Sequence, residues 1–131
     1  MKPRSILSGL LRLIVLLLVV HVVEILIVGG VWYVLDIQSR SSLAAKLEIE
    51  PSWSSFEKYV ETHFEVGMTR TEVIKQAEMI GPFSVEPFFS GMKYCEEYSF
   101  RVGPLGTSRG GRWWICYEND VVVSVWRYRY Q

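Results

Sequence analysis

This chain of 131 residues has few cysteines, no net charge and no evident catalytic motif. It contains 2 cysteines, and its 14 basic residues are balanced by 14 acidic ones. A general nucleic-acid binder would carry a basic excess, so the balanced charge argues against nucleic acid as a partner. Two lone thiols are poor support for a metal site. We therefore predict no nucleic-acid partner, no metal and no cofactor.

No motif in the chain demands an enzyme. The glycine-rich stretch 103–111 lacks the Gly-Lys-Ser/Thr ending of a phosphate-binding loop and leads into a strand, which favours a hairpin loop. His63 has no cysteine, aspartate or second histidine at metal-ligand spacing, which favours a surface or capping histidine. An active site built from Glu96, Glu97 and His63 near the arginine-rich loop is the least favoured hypothesis, because no spacing requires it. We predict that the protein is not an enzyme.

Polar residues are nearly absent from 13–35, where His21 and Glu24 interrupt an apolar run. A helix of this length measures about 35 Å, enough to cross a hydrocarbon core of about 30 Å. A cleavable signal sequence has an apolar core of about 7–15 residues before small residues, and this run is longer and lacks an A-x-A pattern. Trp32 and Tyr33 fall where an interfacial aromatic belt would lie. The run predicts a single retained transmembrane helix in the lipid bilayer.

Positive charges are concentrated before the apolar run. Lys2, Arg4 and Arg12 precede it, whereas Asp36 follows it directly. The positive-inside rule then places the N-terminus in the cytoplasm and the C-terminal domain outside it. We expect an inner (plasma) membrane protein with an extracytoplasmic domain, which in a bacterium would face the periplasm or the exterior.

These assignments divide the chain into four parts. They are a cytoplasmic N-terminus, a transmembrane helix, a linker and a folded domain, at 1–12, 13–35, 36–52 and 53–131. The linker is expected to hold the domain close to the membrane surface, whether or not the membrane helix continues into it for a turn or two.

Two short helices are predicted at the start of the domain. Ser54 and Glu57 match the capping box S-x-x-E of a first helix. Its apolar stripe follows the spacing of three and four: Trp53, Phe56, Val60 and Phe64.

The second helix has agreeing start and stop signals. Thr69 and Glu72 form another capping box. Gly81 suits the left-handed position after a helix end, and Pro82 prevents continuation. The apolar face between these signals consists of Val73, Ala77 and Ile80.

The period changes to two after a loop over 83–91. Three antiparallel strands are predicted, at 94–102, 112–118 and 121–130. Asn119 and Asp120 suit a tight turn, because both residue types tolerate positive φ. A two-residue loop would pair Glu118 with Val121, Cys116 with Val123, and Trp114 with Val125. Together with two helices on one face, this predicts an α+β domain with a three-stranded antiparallel sheet.

The pairing of Cys95 with Cys116 depends on the register of the first two strands. The predicted compartment permits a disulfide. Matching the apolar faces places Tyr98 opposite Cys116 and Phe100 opposite Trp114, which leaves Cys95 on the other face. A bulge in the first strand would reverse the alternation and bring the sulfurs together. The sequence leaves both arrangements open.

One stretch resembles a known family. The residues are Val66-Gly67-Met68-Thr69, then Glu72-Val73, then Ile80-Gly81-Pro82. They resemble the SmpA/OmlA (BamE-like) domain family over roughly 56–130. The resemblance implies two helices followed by a three-stranded sheet, in a cell-envelope setting. This chain differs from lipidated family members in having a spanning helix and no cysteine before Cys95, so no binding residue is carried over.

The favoured function is a membrane-anchored, non-catalytic protein-interaction domain in envelope assembly or maintenance. Its support is a set of aromatic residues expected on or near the sheet face opposite the core, beside Arg127 and Arg129: Trp113, Trp126, Tyr128 and Tyr130. Exposed aromatic residues with arginines are typical of binding hot spots. The alternative is that this face packs against the linker or the membrane surface.

A second hypothesis assigns the function to the membrane helix, as an accessory subunit of a membrane complex. His21 and Glu24 are three residues apart and share a helix face. Ionisable residues at mid-membrane are costly unless they face protein or water, which suggests self-association or a protein partner. The alternative is a neutral Glu24 bonded to His21 within one helix.

Overall fold

The computed structural model describes residues 3–107 and 111–128, and the fold is α+β, as predicted. Contacts divide the chain into two units, Met1–Val34 and Leu35–Gln131. The elements in chain order are helices α1 (Pro3–Leu47), α2 (Trp53–His63) and α3 (Arg70–Ile80), and strands β1 (Phe83–Ser90), β2 (Lys93–Phe100), β3 (Arg112–Glu118) and β4 (Val121–Tyr128). The four strands form one antiparallel sheet in the order β1-β2-β3-β4.

The first unit is the N-terminal part of helix α1. Its side chains between Ile6 and Val34 are apolar and exposed with few exceptions. A helix that is apolar on all sides needs an apolar surrounding to cover it. By length and composition, helix α1 is long and apolar enough to cross a membrane.

Helix α1 continues through most of the predicted linker. It ends at Leu47, about three turns beyond the predicted limit of 35. Within the second unit Leu43 and Ala44 are buried, and this packing stabilises the extra turns. The helix ends where Glu48 adopts φ 55° and the N–H of Ile49 donates to the Ala44 carbonyl at 3.1 Å. The helix therefore extends further into 36–52 than the turn or two that the linker prediction allowed.

The N-cap of helix α2 lies two residues before the start of the predicted capping box. Ser52 is the N-cap, and its Oγ accepts from the N–H of Ser55 at 3.1 Å. Ser54 is an exposed helical residue, and Glu57 binds Arg127 instead of the helix start. The Ser54–Glu57 capping box is therefore wrong, because a serine two residues earlier satisfies the first turn.

Helix α3 begins with the predicted capping box. The N–H of Glu72 donates to Thr69 Oγ1 at 3.3 Å, and the N–H of Thr69 donates to Glu72 Oε2 at 2.7 Å. The helix ends at Ile80 as expected. Gly81 has φ 156° and ψ −166° rather than the predicted left-handed helical conformation, so the chain leaves the helix directly into strand β1.

Strand β1 replaces the loop predicted over 83–91. Phe83 pairs with Phe100, and Ser90 pairs with Lys93 across the turn at Gly91. Pro87 lies in this strand at the edge of the sheet, where a missing N–H donor is tolerated. The stretch predicted as a loop thus forms an edge strand, and the three-stranded prediction is corrected to four strands.

Strands β2 and β3 pair in a register that brings the two cysteines together. Cys95 lies opposite Cys116, and Tyr98 lies opposite Trp113. The arrangement with Tyr98 opposite Cys116, one of the two that the sequence left open, is wrong by three residues. Trp113 faces the core in place of Trp114, so the apolar faces still match across the two strands.

The hairpin of β3 and β4 contains an irregularity that the prediction lacked. Asn119 and Asp120 have φ 51° and 58°, and the expected pair of Glu118 with Val121 is present. The register then shifts between Cys116 and Tyr117, so Cys116 pairs with Ser124 instead of Val123. Trp114 likewise pairs with Trp126 instead of Val125. The shift lies in this hairpin and not in the first predicted strand.

The core lies between helices α2 and α3 and one face of the sheet. Its buried members include Phe56, Val60, Val73, Ala77, Ile80, Tyr98, Phe100, Trp113, Ile115, Tyr117 and Val122. Because side chains alternate along a strand, the neighbours of these strand residues lie on the opposite face. That opposite surface is called the open face here; its larger side chains are Phe88, Glu97, Arg112, Trp114, Trp126 and Tyr128.

Candidate functional site

A row of aromatic rings crosses the open face diagonally. The ring centroids of Phe88 and Trp114 are 5.0 Å apart, and those of Trp114 and Tyr128 are 5.1 Å apart. Trp126 lies directly opposite Trp114 and is 53% exposed. Strands β1, β3 and β4 therefore contribute rings to one aromatic surface, and the indole of Trp126 at its rim is about half exposed to solvent.

Glu97 holds the central indole of this row in place. Trp114 Nε1 donates to Glu97 Oε2 at 2.6 Å, and Arg112 Nη1 donates to Glu97 Oε1 at 3.2 Å. The carboxylate thus links two neighbouring strands while the ring of Trp114 stays available for stacking. A contact surface whose largest residue has one orientation loses little entropy on binding.

A disulfide lies on the same face. Cys95 and Cys116 are bonded, with 4.0 Å between their Cα atoms, and both are buried. They join the two central strands directly beside the aromatic row. The cross-link constrains the strands that carry Glu97 and Trp114.

The structure divides the residues predicted for this surface. Trp126 and Tyr128 lie on the open face and are 53% and 37% exposed. Trp113 is 1% exposed and belongs to the core, so its prediction as a surface residue is wrong. The register observed for β3 exchanges its two faces relative to the prediction, so Trp114 lies on the open face instead. Arg129 and Tyr130, also expected there, lie outside the described residues.

Arg127 also lies on the core side of β4. Its Nη1 donates to Glu57 Oε2 at 2.6 Å, and its Nη2 donates to Glu57 Oε1. Its guanidinium carbon is 5.9 Å from the ring centroid of Trp113. This bidentate pair ties helix α2 to the sheet, so Arg127 stabilises the domain and is not part of the open face.

His21 and Glu24 lie in the first unit, on one face of helix α1. The distance from His21 Nδ1 to Glu24 Oε2 is 3.8 Å. Their side chains are 71% and 68% exposed. The structure therefore brings the two residues together, as their spacing predicted, and leaves both accessible.

The burial of the Glu96 carboxylate, which the sequence offered only as part of a disfavoured active site, was not predicted. Glu96 is 1% exposed and accepts from Arg70 Nη2 at 2.6 Å. The hydroxyls of Tyr94 and Tyr98 donate to it at 2.9 and 2.7 Å, and the Tyr98 and Tyr117 hydroxyls are 3.3 Å apart. The signal was present in the strand pattern, since Glu96 occupies a core-facing position between two tyrosines.

The electrostatics of this cluster favour the ionised form of Glu96. Burial alone would raise the pKa of Glu96, but the hydrogen bonds from Arg70, Tyr98 and Tyr94 outweigh it and lower the pKa. Burial, together with this carboxylate, raises the pKa of Tyr98. Burial raises the pKa of Tyr117 as well. An ionised carboxylate whose two oxygens both accept hydrogen bonds in the core suits a structural role better than proton transfer.

Neither the arrangement of metal-ligating residues nor comparison with known proteins identifies another site among the described residues. Within 3–107 and 111–128, no group of three or more histidine, cysteine, aspartate or glutamate residues is arranged to hold a metal ion. No protein-family model matches the chain, and no curated protein or solved structure matches it.

Proposed function

We propose that this protein is a single-pass membrane protein whose domain binds another protein through the open face. The observation that carries the proposal is the aromatic row from Phe88 to Tyr128, with Trp126 half exposed at its rim. Tryptophan and tyrosine dominate binding hot spots because they combine large apolar area with a polar group. The proposed role is non-catalytic, in assembly or maintenance of the cell envelope.

The proposed location outside the cytoplasm has two supports. The positive charges at Lys2, Arg4 and Arg12 precede the apolar stretch of helix α1, which favours a cytoplasmic N-terminus. The disulfide between Cys95 and Cys116 suits an oxidising compartment such as the periplasm. The resemblance to the SmpA/OmlA family over helix α3 favours an envelope setting in the same way.

The non-catalytic assignment is supported by the state of the buried carboxylate. Glu96 Oε1 accepts from both Arg70 and Tyr94, while Oε2 accepts from Tyr98. A general base needs a free lone pair directed at its substrate. Both oxygens of Glu96 already accept from these donors, and the side chain is only 1% exposed, so a substrate has little access to it.

The test uses the full-length protein purified from its own membranes in mild detergent. We expect the double variant Trp126→Ala, Tyr128→Ala to recover at least about tenfold less of its co-purifying protein than wild type, since hot-spot truncations commonly cost about 2 kcal/mol. Val66→Ala is the matched control, because Val66 is 66% exposed in the loop between α2 and α3.

Circular dichroism of each variant separates loss of contact from loss of fold. Unchanged co-purification by a folded double variant would show that the open face is not the interface. Loss of the partner in Val66→Ala as well would show that the effect is not specific to the aromatic row.

A further inference from the structure

Helix α1 carries two polar side chains that do not satisfy each other within one chain. His21 Nδ1 lies 3.8 Å from Glu24 Oε2, beyond hydrogen-bond distance. The side chains flanking them on the helix are apolar and exposed. Hydrocarbon contains no water to replace the missing partners. If the helix spans a bilayer, as proposed above, these two groups need polar atoms from another chain.

A second copy of this chain supplies the complementary groups at the correct depth. All copies of a single-pass protein insert in the same orientation, so His21 of each copy lies at one depth and Glu24 about one turn further along. The imidazole offers an N–H donor and the carboxyl group offers acceptors. Two parallel copies can therefore form two equivalent His21–Glu24 pairs, related by a twofold axis.

The surrounding residues form a seam suited to two parallel helices. Spacings of three and four place six residues on one face, as the a and d positions of a 3.5-residue repeat: Ile14, Leu17, His21, Glu24, Val28 and Val31. The apolar members are exposed in the single chain. β-Branched Ile14 and Val28 lie at a positions and Leu17 lies at a d position, a combination that favours pairs of helices. The polar His21 at an a position specifies the register.

We propose that the protein forms a parallel homodimer through this seam, with His21 of each copy hydrogen-bonded to Glu24 of the other. The proposal rests on the membrane anchoring proposed above and is independent of the open face. It assigns the membrane helix a partner, a second copy of the same chain.

Cysteine cross-linking in phosphatidylcholine vesicles tests the seam with purified full-length protein. Val28→Cys places a thiol on the seam, and Leu26→Cys places one on the opposite side of the helix as a matched control. We expect mild oxidation to link Val28→Cys into a dimer at least about tenfold more than Leu26→Cys. The chain without an added cysteine gives the background from Cys95 and Cys116.

Further variants in the Val28→Cys chain test the polar pair. Glu24→Leu is expected to reduce the dimer association constant about tenfold, measured by diluting the protein in lipid. Exchanging the pair, His21→Glu with Glu24→His, is expected to retain the dimer. Equal cross-linking at both cysteine positions, or an unchanged association constant in Glu24→Leu, would overturn the proposal.

Native membranes and alkaline extraction distinguish the remaining outcomes. A monomer in vesicles that is cross-linked to a different protein in native membranes would replace the second copy with that protein. A chain released by alkaline carbonate would overturn both the dimer and the proposed anchoring. A chain that stays embedded but monomeric would overturn the dimer alone and leave the function of the open face standing.

Discussion

At the scale of single residues, Glu96 shows how a charge is accommodated inside a small core. Its carboxylate accepts from a guanidinium and two phenol hydroxyls, while the side chain of Arg70 is 43% exposed. The cluster therefore connects the inside of the sheet to the surface at the start of helix α3. Removing one member of such a network leaves the others without partners, which costs more than a surface ion pair does.

We expect Glu96→Gln to lower the free energy of unfolding at pH 7 by about 2 kcal/mol. The folded-state pKa of Glu96 is lowered, so its contribution is present above the unfolded pKa of about 4.3 and is lost as pH falls through the folded pKa. Urea unfolding in detergent from pH 7 down to pH 3 should show the difference between variant and wild type shrinking below about pH 4.

Glu86→Gln is the matched control, since Glu86 is exposed on strand β1. It is expected to stay within about 0.5 kcal/mol of wild type at every pH. A Glu96→Gln difference that is constant with pH would contradict a buried charged carboxylate.

At the scale of elements, helix starts depend on the side chain that reaches the first free N–H groups. Ser52 does this for helix α2, and Thr69 with Glu72 does it for helix α3. Both helices are 11 residues long, so one cap is a large fraction of the stabilisation available to each.

We expect Ser52→Ala to reduce the free energy of unfolding by about 1 kcal/mol, because its Oγ accepts from Ser55 N–H. Ser54→Ala is the control, since Ser54 is exposed inside the helix and alanine favours helices. Thermal unfolding monitored by circular dichroism compares the two. A larger loss of stability for Ser54→Ala would instead indicate that Ser54 is the N-cap, as the sequence pattern suggested.

At the scale of the whole molecule, the disulfide closes a loop that contains most of β2 and β3. Cys95 and Cys116 are 21 residues apart in the chain. Chain-entropy estimates for a loop of this size give a stabilisation of about 3 kcal/mol. The same bond holds the strands of the open face together, which links stability to the proposed binding surface.

We expect the double variant Cys95→Ala, Cys116→Ala to unfold at lower urea, with a loss of about 3 kcal/mol. Reductant should lower the stability of wild type to a similar extent and leave the double variant unchanged. Mass spectrometry of unreduced peptides identifies the bond. Free thiols in protein from its own membranes, together with stability insensitive to reductant, would contradict the cross-link.

Several features of this protein follow from the sequence because they depend on local chemistry. The apolar run makes a long helix, Thr69 and Glu72 start helix α3, and Asn119 with Asp120 makes the β3–β4 turn. Each of these signals acts over a few residues, so composition and spacing are enough to predict it.

The remaining features depend on which distant segments meet. The burial of Trp113, the pairing of Cys95 with Cys116 and the strand at 83–90 all follow from sheet register. A shift of one residue exchanges the two faces of a strand, and local sequence does not distinguish the alternatives. The sequence by itself therefore determined a long apolar helix followed by an α+β domain. Only the tertiary structure decided which aromatic residues face outward, because that choice depends on contacts between whole strands.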